Sequence, residues 1–181
     1  MSAGDLTPFP SALLLDTSFL RTLGGTRTSK YQTFIEYVTQ EGVHLFLTPR
    51  VRTELTEQQA YMGIDWVDKA RTTDWIEETG EFQPGVRVHD GPRAGDIFDS
   101  AHRKIAEREQ VDPDKLRKTD ASLPATAVML LGSREFDRIG IALDDNHAQE
   151  SINSVLRNTY YEGRIAVLNI WDVLAYMDTQ S

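Results

Sequence analysis

The chain has 181 residues, 40% of them hydrophobic and 26% charged, which predicts one globular domain spanning 1–181. It has no cysteine, which excludes a disulfide scaffold, a thiolate metal site and cysteine catalysis; no apolar run nears the ~20 residues that span a bilayer, and no basic region marks a secretory signal, so a cytoplasmic protein is expected. The net charge of -9 carries no electrostatic signal for nucleic acid, and 14 arginines and 5 lysines against 16 aspartates and 12 glutamates suit an ordinary acidic protein as well as one kept soluble in concentrated salt.

Residues 1–10, with two prolines and a glycine, read as a tail that orders on contact. Ala12-Leu13-Leu14-Leu15 is a continuous apolar run, the pattern of a strand buried on both faces. It stops at Asp16-Thr17-Ser18, and a short helix over 17–23 is closed by Gly24-Gly25. Ser29 caps a predicted helix over 30–40, with Tyr31, Phe34, Ile35 and Val38 on one face. A second strand covers 43–47. Thr48 and Pro49 then open a helix as cap and first-turn proline; Val51, Leu55 and Gln58 face inward, and Glu54 lies one turn in.

The stretch 64–76 looks helical in pieces. Residues 80–95, with four glycines and two prolines, read as an inserted loop. Asp96 caps a helix through Glu109, which Asp112-Pro113-Asp114 breaks. A helix rich in alanine and leucine covers 120–131, with Pro124 in its first turn. A third strand at 138–143 runs into Asp144-Asp145, a helix covers 147–157, a fourth strand 164–170 and a closing helix 171–177. Alternation of strands and helices predicts a three-layer α/β/α sandwich around a mostly parallel sheet.

Several acids share one topological place. Asp16 follows the first strand, Asp144 and Asp145 follow the third, and Glu54 sits in the helix after the second. In an open α/β sheet the crevice beyond the carboxyl ends of the strands binds ligands. Asp120 starts a helix that must pack on the same sheet. Packed carboxylates cannot all ionise cheaply without a cation, and hard oxygen ligands suit Mg²⁺ or Mn²⁺. Such an ion takes substrate phosphate as a further ligand and activates water. The chemistry expected is metal-assisted hydrolysis of a phosphodiester.

Four segments carry a resemblance: Leu13 through Leu20 (Leu-Leu-Leu-Asp-Thr-Ser-Phe-Leu), Thr48 through Leu55 (Thr-Pro-Arg-Val-Arg-Thr-Glu-Leu), Thr119-Asp120-Ala121, and Ile141 through Asn146 (Ile-Ala-Leu-Asp-Asp-Asn). In this order, across about 12–177, the chain resembles the PIN-domain ribonucleases, toxin-type VapC-like proteins among them. The resemblance implies a PIN-like fold and an endoribonuclease of the toxin or RNA-processing kind. Asp16, Glu54, Asp120 and Asp145 would bind Mg²⁺ or Mn²⁺ and carry catalysis, with Asp144 either behind Asp145 or in its place. Ser18 would orient a bound water or a neighbouring carboxylate. The implied partners are single-stranded RNA, an antitoxin protein for a toxin, and a second copy in a homodimer. Where the family often has a threonine two residues before its last aspartate, this chain has Leu143. The stretch between Glu54 and Asp120 is also longer than in small toxin members, and 80–95 would serve as a lid or partner surface.

Each acid has a structural alternative: Asp16 and Asp120 as helix caps, Glu54 as a solvated helix residue, Asp144 and Asp145 as a turn. Thr17 or Ser18 could cap in place of Asp16 and free its carboxylate. Arg50, Arg52, Arg117 and Lys118 would either neutralise RNA phosphates or form surface ion pairs. His44, His89, His102 and His147 show no ligand spacing, and only His147 falls near the acids. Trp66, Trp75 and Trp171 read as core or interface anchors rather than stacking surfaces. The competing function is a PIN-like scaffold that binds RNA or protein without cutting. A metal-dependent phosphomonoesterase ranks last, for want of a phosphate loop or nucleophile.

Overall fold

A computed structural model describes residues 8–62, 76–133 and 135–180. In chain order these form β1 (Ala12–Leu15), α1 (Thr17–Leu23), α2 (Ser29–Gln40), β2 (His44–Leu47), α3 (Pro49–Met62), β3 (Ile76–Glu78), α4 (Ala94–Glu109), a 3-10 turn (Pro113–Lys115), α5 (Thr119–Gly132), β4 (Ile139–Ala142), α6 (Asn146–Leu156), β5 (Ile165–Leu168) and α7 (Ile170–Gln180).

All four residues of β1 are fully buried. A strand apolar on both faces is stable only inside a covered parallel sheet, and β1 is the middle strand of the order β3-β2-β1-β4-β5. Every neighbouring pair is parallel, with Leu14 opposite both Phe46 and Ile141. Gly140 lets β4 come close to β1, because a Cβ there would lie 2.4 Å from Leu13 Cδ2. From β1 to β3 the chain travels one way along the sheet, then returns to place β4 on the other side of β1. Right-handed crossovers therefore put helices on both faces. On one, α4, α5 and α6 pack on one another; on the other, α7 packs against α1 and α2, and α1 against α3. The reversal opens a crevice at the carboxyl ends of β1 and β4.

The three-layer, parallel architecture expected from the sequence is present, with five strands among the described residues where four were expected. The additional strand is β3, whose Ile76 ends a stretch that the sequence pattern reads as helical; the rest of that stretch, 64–75, lies outside the described residues, as do Trp66, Trp75 and the Gln58 side chain.

Three local expectations are corrected. Thr28, not Ser29, caps α2, its Oγ1 accepting from Tyr31 N at 3.2 Å. Asp96 lies in the first turn of α4, while Arg93 holds the cap position without a side-chain bond. The leading amides of α4 instead donate to loop carbonyls, Ala94 N to Val86 O and Gly95 N to Pro84 O. Pro124 lies deeper in α5 than its first turn, because that helix starts at Thr119. Pro8 to Pro10 are laid on the core, with Phe9 against Tyr37 and Tyr176. No described helix is long and apolar enough to cross a membrane.

Candidate active site

The crevice at the ends of β1 and β4 is built around Asp16. The backbone there leaves the sheet, its N–H donating to Ala142 O at 2.9 Å, so the carboxyl sits 3% exposed beneath the two strand ends. Asp16 is itself the N-cap of α1, a role left open between it and Thr17 or Ser18. Its Oδ2 accepts from Ser18 N at 2.9 Å and Ser18 Oγ at 2.6 Å. Its Oδ1 is buried and has no hydrogen-bond partner. Capping therefore uses one oxygen and leaves the other unsatisfied. Burial pushes the Asp16 carboxyl above its ordinary range; the Ser18 bonds oppose this and the charge of Glu54 adds to it.

Thr48 Oγ1 caps α3 by accepting from Val51 N at 3.2 Å. Val51 and Leu55 are buried, and Glu54 turns with them toward the crevice. Its Oε2 accepts from Thr17 Oγ1 at 2.8 Å and its Oε1 from Thr119 Oγ1 at 2.7 Å. Arg117 Nη1 stands 3.5 Å from the same Oε1. Glu54 thus ties the start of α1 to the start of α5 through the residues adjoining Asp16 and Asp120.

Asp120 occupies the first turn of α5 and is not its cap; Lys118 holds that position without a side-chain bond. The half-buried Asp120 carboxyl is pushed up to about 8, first by burial and then by the charges of Asp16, Asp145, Glu54 and Glu109. Four carboxylates, three of them from the expected set and Glu109 from α4, therefore act on Asp120. Asp145 caps α6, its Oδ1 accepting from Ala148 N at 2.8 Å. Asp144 turns to structural work: its Oδ1 accepts from Ile170 N at 2.8 Å, and its N–H donates to Ser18 Oγ at 3.0 Å. Of the two, Asp145 is the one whose charge raises Asp120.

Ser18 Oγ bonds to the Asp16 carboxylate and to Asp144 N–H, and so links Asp144 to Asp16. The basic residues are distributed otherwise. Arg50 pairs with Glu81 at 3.7 Å and lies over the Phe98 ring at 5.7 Å. Arg52 Nη1 donates to Thr56 Oγ1 at 3.2 Å. Lys118 is exposed at the mouth of α5, and Arg117 is the cation in contact with an acid of the set. His147 is exposed near the start of α6.

Thr17, Thr119 and Glu109 were not singled out from the sequence. The two threonines adjoin the acids in the motifs, which was the available signal. Glu109 ends α4 and has none, since only the packing of α4 on α5 brings it near Asp120.

A hard divalent cation suits this donor set. It is all carboxylate oxygen, it includes one orphaned buried oxygen, and one member holds its proton when no cation offsets its neighbours. Among the described residues no three His, Asp or Glu side chains stand ready to hold an ion between them, so the acids interact through charge rather than as a closed chelate. A cavity of about 500 Å³ lined by Arg87, His89, Phe136, Tyr160 and Arg164 lies where the chain enters β4 and β5, at the other end of the sheet from these acids.

No curated protein matches the chain. A family described as the Halobacterial PIN domain matches residues 9–181, nearly the whole length, and includes all the segments that converge on the crevice. PIN domains are often nucleases and typically depend on a metal. With the sheet order, the acids at its carboxyl edge and this match in agreement, the chain belongs to the Halobacterial PIN domain family.

Proposed function

We propose that this chain is a Mg²⁺- or Mn²⁺-dependent endoribonuclease that hydrolyses phosphodiester bonds in single-stranded RNA. The observation that carries the reading is the coupling of Asp120 to Asp16, Glu54 and Asp145 around a buried Asp16 oxygen without a partner. Structural carboxylates find donors or move to solvent; a buried Asp16 oxygen without a donor, set beside other carboxylates, is a place that a cation would complete.

Asp16 Oδ1, Glu54, Asp120 and Asp145 would hold the ion. When bound, it supplies Lewis acidity toward phosphate and makes water nucleophilic at neutral pH. The chain's own residues prepare that centre. Ser18 fixes Asp16 by its second oxygen. Thr17 and Thr119 hold Glu54 between two helix starts, and Arg117 offsets part of its charge. Asp120, whose carboxyl is pushed up to about 8, would lose its proton on holding a cation, so binding should release protons.

The test is Asp16→Asn. Asparagine keeps the cap oxygen for Ser18 and removes the charge. Even an outer-shell partner of a metal ligand is worth about 10–100-fold, so cleavage of single-stranded RNA should fall by more than about 100-fold, while the metal-free melting temperature holds or rises. Full activity in this variant refutes the assignment. Growth arrest on expression, relieved by a neighbouring gene product, would mark a toxin with an antitoxin partner; its absence would mark an RNA-processing enzyme.

The alternative is a scaffold that binds RNA or protein without cutting. It draws on Leu143, fully buried where many family members carry a hydroxyl. Titration with Mn²⁺ separates the two, since a scaffold should give no heat that depends on Asp16 and Glu54.

A further inference from the structure

Trp171 breaks a rule that nearly all the described residues keep. Among the described residues the large hydrophobic side chains left exposed are Val111 and Trp171, and the indole is 63% exposed. It is therefore not a core anchor, one of the two roles expected from the sequence. Val111 follows α4, in the opposite helical layer, so among the described residues no second exposed large hydrophobic side chain accompanies the indole. A protein interface buries a cluster of apolar groups at its centre; a lone flat ring suits a lone flat ligand.

Its mounting is rigid and leads to the acids. The preceding residue, Ile170, is fully buried, and its N–H donates to Asp144 Oδ1 at 2.8 Å. Asp144 N–H donates to Ser18 Oγ at 3.0 Å, and Ser18 Oγ donates to Asp16 Oδ2 at 2.6 Å. Three hydrogen bonds thus run from the start of α7 to the innermost carboxylate. Asn169 closes the same turn, accepting from Asp172 N at 2.9 Å and donating to Asp172 Oδ2 at 2.8 Å.

A cation accompanies the ring. Lys30 Nζ lies over one face of the indole, 5.5 Å from its centroid, and donates to the Thr22 carbonyl. An exposed π surface with an ammonium against it matches the two halves of an unpaired nucleotide, a base that stacks and a phosphate that carries charge.

We propose that Trp171, with Lys30, is the platform on which an unpaired nucleobase of the RNA substrate stacks beside the acidic crevice. The proposal rests on the nuclease reading for the identity of the ligand. It is tested by binding rather than cleavage, so the two can fail separately.

The probe is a short fluorescein-labelled oligoadenylate, alone and annealed to its complement, titrated in EDTA with the full chain. Trp171→Ala should weaken single-strand binding by about 5- to 150-fold, the span of base–aromatic stacking. Trp171→Phe should restore much of the loss, and the duplex, whose bases are stacked already, should bind weakly to all three proteins. Lys30→Met should reduce the slope of log affinity against log salt by about 0.7, one released counterion on a single strand. Matching circular-dichroism melts guard against misfolding. Unchanged single-strand affinity in Trp171→Ala, or equal losses for strand and duplex, would overturn the platform. So would a change from dimer to monomer with RNA affinity intact, because the indole would then be a self-association contact. If Trp171→Ala loses binding while Asp16→Asn still cleaves, the platform stands and the placement of the catalytic centre falls.

Discussion

Asp16 has two oxygens with two fates, one engaged by Ser18 and the other buried without a partner. A carboxylate in that position resists ionisation, and Asp120 resists it too, up to about 8. Both groups titrate near ordinary carboxylate values in the unfolded chain, so the folded state holds extra protons above about 4, in the case of Asp120 up to about 8. Stability from each group is complete below its unfolded value and is lost as pH rises through its raised folded value, about 8 for Asp120. The metal-free protein should therefore melt at a higher temperature at pH 5 than at pH 8. Saturating Mn²⁺ should remove most of that difference by replacing the protons. Asp120→Asn, which is neutral at every pH, should flatten the metal-free profile and raise the melting temperature at pH 8. An unaltered slope in that variant would mean that Asp120 ionises freely.

Between single residues and the whole fold, the loop from Gly80 to Arg93 is more anchored than its glycines and prolines implied. Tyr161, fully buried, accepts from Val88 N at 3.1 Å and donates to Pro92 O at 2.7 Å. Gly91 lies directly against its ring, so an added Cβ would meet Tyr161 Cζ at 2.6 Å. The ring is held by two hydrogen bonds and has nowhere to retreat. Gly91→Ala should cost about 1–3 kcal/mol, the usual penalty of overpacking, read as a lower urea midpoint. Gly85→Ala, where the new atom meets nothing within 4 Å, is the control and should change little. Equal effects would show that the tyrosine yields. The element that sequence reading missed, β3, follows from the same scale. It is three residues long, with Glu77 and Glu78 exposed, so neither alternation nor an apolar run marks it. It exists because Ile76 pairs beside Leu45 on the edge of an already formed sheet.

At the scale of the molecule, a net charge of -9 is concentrated further by gathering acids at one edge of the sheet. Self-repulsion of this kind destabilises the compact state and is screened by salt. Raising KCl from about 0.1 M to about 1 M shortens the Debye length from ~10 Å to ~3 Å, and the melting temperature of the metal-free chain should climb across that range. The family's halobacterial description agrees with such a habitat. A flat or falling melting curve would show that the acidic surface is indifferent to screening.

The local pattern of residues was enough to indicate a parallel α/β sandwich. A strand such as Ala12–Leu15, apolar on both faces, has few other places to go, and Thr48-Pro49 starts a helix by its own backbone chemistry. The place of each acid along the chain was legible for the same reason, since Asp16 and Asp144-Asp145 follow directly on buried runs. Sequence could not decide which neighbour caps a helix when both can, as at Thr28 and Ser29, nor whether Asp144 or Asp145 faces the other acids. It could not find Glu109, or the threonines that hold Glu54, or the exposure of Trp171. Those facts depend on contacts between segments far apart in the chain, and such contacts are fixed by how the layers pack, which neighbouring residues along one strand or helix do not encode.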